Sequence, residues 1–343
     1  MIKIGKRIIS QDSKPLVVAE IGINHYGSLK IAKKIVDCAS NSGAEAVKVQ
    51  IHIPDEEMSE EAKKIKPGNS NINIFKIIER NSLTLKEEKK LKNYIEKKKL
   101  IYIATPFSYK AAKWLNDNNV KIIKIGSGEC NNIPFIKYVC SFKKPMIIST
   151  GMNNLTSVKK TVKIVKKHKI PHALLHCVNL YPVNYKYVRL HRLKKMIQMF
   201  KSSIIGYSDH SIGNTIPIAA LALGAKIIEK HFVIKRNGKG PDIICSMDKT
   251  ELKDLIVSSN NIHAAFSSKK EIINQEDLTR KFAFHSVVSK KDINKNEKLS
   301  WKNLTTKRPG TGDFPSYKIY DLFGKKAKKF IKENRLIKKK SIK

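Results

Sequence analysis

Between Leu16 and Phe232 short apolar runs recur eight times, at Leu16–Ile21, Ala46–Ile51, Leu100–Ala104, Lys121–Ile125, Pro145–Ser149, Ala173–Val178, Ser203–Tyr207 and Lys226–Phe232. They are rich in Ile and Val, as suits strands buried on both faces. Helical spacing separates them: Leu29, Ala32, Ile35, Val36 and Ala39 share one face, as do Leu155, Val158, Val162 and Val165. Alternating strands and helices give either an open doubly wound sheet or a closed (β/α)8 TIM barrel. Eight units in about 250 residues is the arithmetic of the barrel, so the chain is predicted to be α/β of that type.

In such a barrel the chemistry lies at the carboxyl ends of the strands, where Glu20, Lys48, Gln50, Lys124, Ser149, Asn179, His210 and His231 fall. Leaving an ion unpaired there costs on the order of several kcal/mol, so Glu20, Lys48 and Lys124 need partners or ligands. The plain alternative is a set of structural salt bridges inside the barrel.

After the eighth run, Asp248 and Glu251 read as a capping pair for a helix carrying Leu252, Leu255, Ile256 and Ile262. Residues 1–266 therefore form the barrel. Residues 267–280 are polar and aperiodic, which predicts a linker. Residues 281–343 read as short strands and turns, a separate small domain near the lower size limit for an independent core, and the lysine-rich end from Lys325 is expected to be helical before it frays.

Composition narrows the classes. The chain has 343 residues, no apolar run long enough to span a membrane, and an amino terminus without a secretory pattern, so a cytoplasmic location is expected and no membrane association. The five cysteines are scattered and never form a CxxC pair, which argues against a disulfide framework. The net charge of +39 is spread along the chain without a recognisable nucleic-acid module, so no specific nucleic-acid partner is expected; it favours encounter with anionic substrates.

Candidate chemistry follows. Lys48 and Lys124, with Ser127 and Gly128 in KIGSGECNN, offer cations, a hydroxyl and backbone amides to a phosphate, and Ser149 beside Gly151 adds another hydroxyl. His210 and His231, ending adjacent strands, suit a divalent metal, with His25, His52 and His176 as competitors. Glu20, flanked by apolar residues, should have a raised pKa and act as an acid or base. Asp242 can accept hydrogen bonds from a polyhydroxylated substrate. Two rivals are a Schiff-base aldolase using Lys48 or Lys124 and a non-enzymatic binding protein.

The segments AEIGINHYGS, VKVQIHI, ATPF, KIGSGECNN, ISTGM, LLHCVNLYP, GYSDHS, EKHF, GPD and KRPGTGDF, in this order, closely resemble the N-acetylneuraminate (sialic acid) synthase family. The resemblance covers nearly the whole chain. It implies a barrel followed by an antifreeze-like (SAF) domain over 281–343. It also implies condensation of phosphoenolpyruvate (PEP) with N-acetylmannosamine or a related 2-acetamido sugar and water, giving a nine-carbon 2-keto acid and phosphate; legionaminate and pseudaminate are alternative products. By that likeness Lys48, Lys124, Ser127, Ser149, Asn179 and Ser208 should bind PEP, Gln50, Tyr181 and Asp242 should face the sugar, and Glu20 should be the catalytic carboxylate. His210 and His231 should hold Mn2+ or Mg2+, with Glu229 in the same neighbourhood. The resemblance further implies a homodimer with swapped SAF domains, in which Arg308 reaches the sugar bound by the partner chain. The third run, ending in ATPF, is expected to be structural.

Overall fold

In the computed structural model, which describes residues 1–66, 71–238, 240, 242–267 and 272–343, the chain forms two compact units, Met1–Ser267 and Ser268–Lys343. The amino-terminal hairpin is β1 (Ile2–Ile4) and β2 (Arg7–Ile9). The eight apolar runs become β3 (Leu16–Gly22), β4 (Ala46–Ile51), β5 (Ile101–Pro106), β6 (Ile123–Ile125), β7 (Met146–Ser149), β8 (His172–Cys177), β9 (Ile204–Asp209) and β10 (Ile227–His231). These eight close into a parallel barrel in the order β10-β3-β4-β5-β6-β7-β8-β9.

Period-two alternation explains both the core and the cleft. One set of alternate residues, including Val17, Ala19, Val47, Val49, Ala104 and Ile148, packs outward into the helical layer. The other set begins apolar, with Leu16, Val18, Ala46, Ile103, Ile122, Ile147, Ala173, Leu175, Ile204 and Ile227, and Ile2, Ile4 and Ile9 of the hairpin complete this core. Continued toward the carboxyl end, the same set becomes polar: Glu20, Lys48, Thr105, Lys124, Ser149, Ser208 and Glu229 are all buried. Each interior Ile or Leu contributes roughly 1.5–3 kcal/mol of burial. The polar upper layer needs mutual pairing instead.

The helices follow the predicted faces. Helix Leu29–Asn41 buries Ala32, Ile35, Val36 and Ala39, and Ser28 caps it by accepting from Ile31 N. Helix Leu155–Lys167 buries Val158, Val162 and Val165. In helix Lys249–Ser267 the capping pair is reciprocal: Glu251 N donates to Asp248 Oδ1, and Asp248 N donates to Glu251 Oε2. Among the described residues no helix is long and apolar enough to cross a membrane.

The second unit differs from expectation in two places. Residues 268–271 of the expected linker lie outside the described residues, and Asp277–Ala283 form a helix where an irregular linker was predicted. The segment after Lys325 is not an α-helix. Its Ala327, Ile331, Ile337 and Ile342 are not spaced at a helical period; they enter a core with Val287, Ile293, Leu299 and Leu304, held by bridges such as Ile293 to Ile331 and Ala327 to Ile342. The paired strands of this unit are β11 (Ser286–Ser289) and β12 (Leu304–Lys307), antiparallel.

Candidate active site

A cleft of about 180 Å³ opens at the carboxyl end of the barrel, lined by residues of β4, β5, β6, β7, β8, β9 and β10 and of the loops that follow the strands. Register puts its charges at one level: Glu20 pairs with Lys48 across β3 and β4, His231 with Glu20 across β10 and β3, and Ser208 with Glu229 across β9 and β10.

Two lysines and two glutamates form one buried ion-pair cluster at the cleft, to which Lys48, Lys124 and Glu229 present their side chains. Lys48 Nζ lies 2.7 Å from Glu20 Oε2 and 3.4 Å from Glu229 Oε1, and Lys124 Nζ lies 3.4 Å from the same Glu229 oxygen. Lys124 also donates to Ser149 Oγ at 2.7 Å, and Lys48 to Thr105 Oγ1 at 3.3 Å. Ser208 Oγ donates to Glu229 Oε1 at 3.1 Å.

The two carboxyls are driven apart. Burial raises Glu20 to about 7, against the opposing pull of Lys48. Burial also acts on Glu229, but Lys124 and Lys48 outweigh it and hold that carboxyl at about 2. Burial lowers Lys124, whereas Glu20 and Glu229 overcome the same burial at Lys48 and raise it. With Glu229 ionised and Glu20 able to hold its proton near neutrality, two ammonium groups face one full negative charge, which leaves the cleft cationic.

The phosphate-type groups converge. Ser127 Oγ accepts from Gly151 N at 3.1 Å, and Ser127, Ser149, Asn179 and Ser208 line the cleft with both lysines. Gly151 is required by crowding, because a Cβ there would strike Asn179 Oδ1 and lie 2.8 Å from Ser127 Oγ. Glu20 is not part of the cleft wall. It pairs with Lys48, and its Oε1 has no hydrogen-bond partner; a Cβ on Gly22 would lie 3.0 Å from that oxygen, 3.4 Å from Gln50 Nε2 and 3.6 Å from Asp242 Oδ2, so the three side chains surround Gly22.

Tyr181, His210 and His231 form the opposite wall. The Tyr181 ring stacks over His210 with centroids 4.0 Å apart, and the two imidazole centroids are 5.6 Å apart. His210 Nδ1 donates to Val178 O at 2.8 Å, which leaves Nε2 as a lone-pair nitrogen. His231 Nδ1 is buried without a hydrogen-bond partner, 3.7 Å from Asp242 Oδ2. Burial lowers His210 to about 4 and His231 to about 3, so both rings are neutral in ordinary buffers. Neutral imidazoles with an orphaned nitrogen fit a divalent cation. Among the described residues no cluster of three or more His, Cys, Asp or Glu is arranged as a metal site, so the remaining positions would fall to water or substrate oxygens.

The competing histidines are engaged elsewhere. His176 Nε2 donates to Val188 O at 2.8 Å, His25 Nδ1 accepts from Gly27 N at 3.2 Å, and His52 bridges Glu57 at 2.9 Å and Gln50 at 3.1 Å. Arg308 belongs to the second unit, where Nε donates to Ala283 O at 3.2 Å and the guanidinium lies over Phe282.

The third run is more than structural: Thr105 holds Lys48, and Phe107, which stacks on His52 at 4.3 Å, lines the cleft. Glu129, from KIGSGECNN, also lines it, with Oε2 buried and unpartnered and burial raising its carboxyl. Thr105 was readable from the period, since it follows Ile101 and Ile103 on the inner set. Glu129 sits in a loop and had no such signal.

Fold and cleft together define a (β/α)8 protein with a cationic pocket and two neutral imidazoles at the catalytic end of the barrel. The NeuB family model matches residues 35–271, and the SAF domain model matches residues 284–343. The chain belongs to the NeuB family. It is 36% identical, over 94% of its length and 99% of the relative's, to the N,N'-diacetyllegionaminic acid synthase of Campylobacter jejuni subsp. jejuni serotype O:2. It is 30% identical to the N-acetylneuraminate-9-phosphate synthase of Homo sapiens, over 93% of this chain and 90% of the other. Among solved structures, the N-acetylneuraminic acid (sialic acid) synthetase of Leptospira borgpetersenii serovar Hardjo-bovis, in complex with citrate, superposes with a TM-score of 0.75 and 31% identity, covering 81% of this chain and 94% of that one.

Proposed function

We propose that this protein is a nonulosonate synthase, a transferase that condenses PEP with N-acetylmannosamine and water to give N-acetylneuraminate and phosphate. The observation that carries the reading is the pairing of Lys48 and Lys124 over a single ionised Glu229, a net positive, buried seat for a phosphorylated acid. A second reading, a 2,4-diacetamido acceptor and a legionaminate product, is favoured by the 36% identity to the legionaminic acid synthase.

Lys124, Ser149, Ser127 and Asn179 bind the phosphate and carboxylate of PEP. Gln50, Tyr181 and Asp242 hold the open-chain sugar with its aldehyde toward C3 of PEP. The electron pair of the enol double bond forms the new carbon–carbon bond, and Glu20 supplies the proton for the aldehyde oxygen through the Lys48 ammonium it contacts at 2.7 Å, which donates to the oxygen as Glu20 reprotonates it. Water adds to the cationic C2 and returns a proton to Glu20. The C2–O bond to phosphate then breaks, phosphate leaves with the electron pair, and the C2 hydroxyl loses its proton to give the ketone. His210 and His231 would hold a divalent ion such as Mn2+ or Mg2+, which when bound supplies Lewis-acid polarisation of a carbonyl oxygen. The lysines stay charged, which separates this route from a Schiff-base aldolase. We place the reaction in a homodimer in which Arg308 of the partner subunit completes the sugar site.

Incubation with PEP and a panel of 2-acetamido and 2,4-diacetamido sugars, with the keto acid identified by mass and NMR, tests the reading. Phosphate release with one sugar, abolished by chelator and restored by Mn2+, is the expected result; a borohydride-trapped lysine adduct with chelator-resistant turnover would overturn it. Mn2+ binding by calorimetry should be lost in His210→Ala and His231→Ala while the circular dichroism is retained.

A further inference from the structure

At the amino end of the barrel, away from the cleft, lies a larger cavity of about 510 Å³. Its walls come from the β1–β2 turn (Gly5, Lys6), the end of helix Leu85–Lys97 (Lys92, Glu96, Lys99), the start of β5 (Ile101, Tyr102) and the loop before β6 (Asn119, Lys121). Local backbone conformation builds this rim: Lys99 and Asn119 both end helices in the left-handed region, at φ 61° and 53°. Lys121 is drawn under the hairpin, where its Nζ lies 3.7 Å from a Cβ placed on Gly5.

The charge of this cavity is unbalanced. Lys92 and Glu96 neutralise one another at 2.8 Å. Among the described residues Lys6, Lys99 and Lys121 have no ion-pair partner. Two helix C-termini bring roughly half a negative charge each, so three ammonium groups leave about two positive charges uncompensated. Tyr102 also lines the cavity and is only 4% exposed; its hydroxyl is buried without a hydrogen-bond partner, in the field of Glu88 and Glu96.

We propose that this cavity is a second anion site that takes a small phosphorylated compound, with Lys6, Lys99 and Lys121 neutralising its phosphoryl oxygens. The site is separate from the cleft but shares two strands with it. Tyr102 and Thr105 are about 10 Å apart along β5, and Lys121 lies three residues before Lys124, ahead of β6.

Equilibrium dialysis of the full chain against labelled orthophosphate tests this. In Lys124→Met, which disables the phosphate seat of the cleft, orthophosphate should still bind. Adding Lys99→Asn and Lys121→Gln should weaken that binding by about tenfold or more. If Lys124→Met fails to fold, the same substitutions in the otherwise unaltered chain should remove one of the two classes of bound phosphate and leave turnover of PEP in place. Lys194→Gln with Lys195→Gln, the same loss of charge on helix Leu190–Met199, should change nothing. Absence of this second class of binding, or equal weakening by the Lys194 and Lys195 pair, would overturn the proposal. Failure of the synthase reading would not, because dialysis needs no turnover.

Discussion

Glu20 and Glu229 both lie within 3.4 Å of a lysine ammonium, yet one carboxyl is raised to about 7 and the other held at about 2. The difference is the balance of neighbours: Glu229 is drawn down by both lysines and by the Ser208 hydroxyl, whereas at Glu20 burial and repulsion by Glu229 outweigh Lys48 and the weaker pull of Lys124. Below about pH 7 Glu20 keeps the proton it is proposed to deliver, so kcat should fall as pH rises through about 7. That limb should be missing from the residual activity of Glu20→Gln; a limb of the same midpoint in the variant would assign it elsewhere. Gly151 bears on the same site through space alone. Gly151→Ala should displace Asn179 and Ser127 and lower kcat/KM for PEP roughly 10- to 100-fold, while Ala at the open Gly128, with nothing within 4 Å of its Cβ, should not. The charged residues of the cluster were visible in sequence as polar interruptions of apolar runs. Their partners were not, because Glu229 meets Lys48 and Lys124 only once the sheet closes.

The element most exposed to pH is helix Leu85–Lys97, which turns Glu88 inward with Leu91 and Ile95. Burial raises the Glu88 carboxyl from its ordinary 4.5 to about 8, and its Oε2 has no hydrogen-bond partner. Between those two values the folded chain keeps a proton that the unfolded chain releases, so stability present at low pH is lost as pH rises through the window. Glu88→Gln should flatten that slope and stabilise the protein by about 1–3 kcal/mol at its alkaline end, read as a shift in urea midpoint at about pH 8.5 that is small at about pH 5. Most elements were legible from periodicity, as helix Leu29–Asn41 shows. The hairpin of β1 and β2 was not, since three-residue strands carry too few alternations to register. The end of the chain was misread because lysine abundance imitates a helical surface, whereas Ala327, Ile331, Ile337 and Ile342 are placed by pairing with distant residues.

At the scale of the whole molecule, the proposed exchange of SAF domains predicts complementation. Arg308→Ala and Lys124→Met chains, each nearly inactive, should regain about a quarter of unaltered activity when mixed and allowed to exchange, because half the dimers then hold one intact site. No recovery after demonstrated subunit exchange would place Arg308 outside the partner's site. By itself the sequence determined the eight-stranded barrel and the end of it that carries polar groups, because strand period, helix period and capping are local and each is written in neighbouring residues. Only the tertiary structure decided which charges pair, that Glu20 pairs with Lys48 and stays out of the cleft wall, that Thr105, Phe107 and Glu129 join the site, and that unpaired lysines gather at the opposite end. Those facts depend on inter-strand register and on loop paths, which bring together residues far apart in the chain and leave no trace in its local pattern.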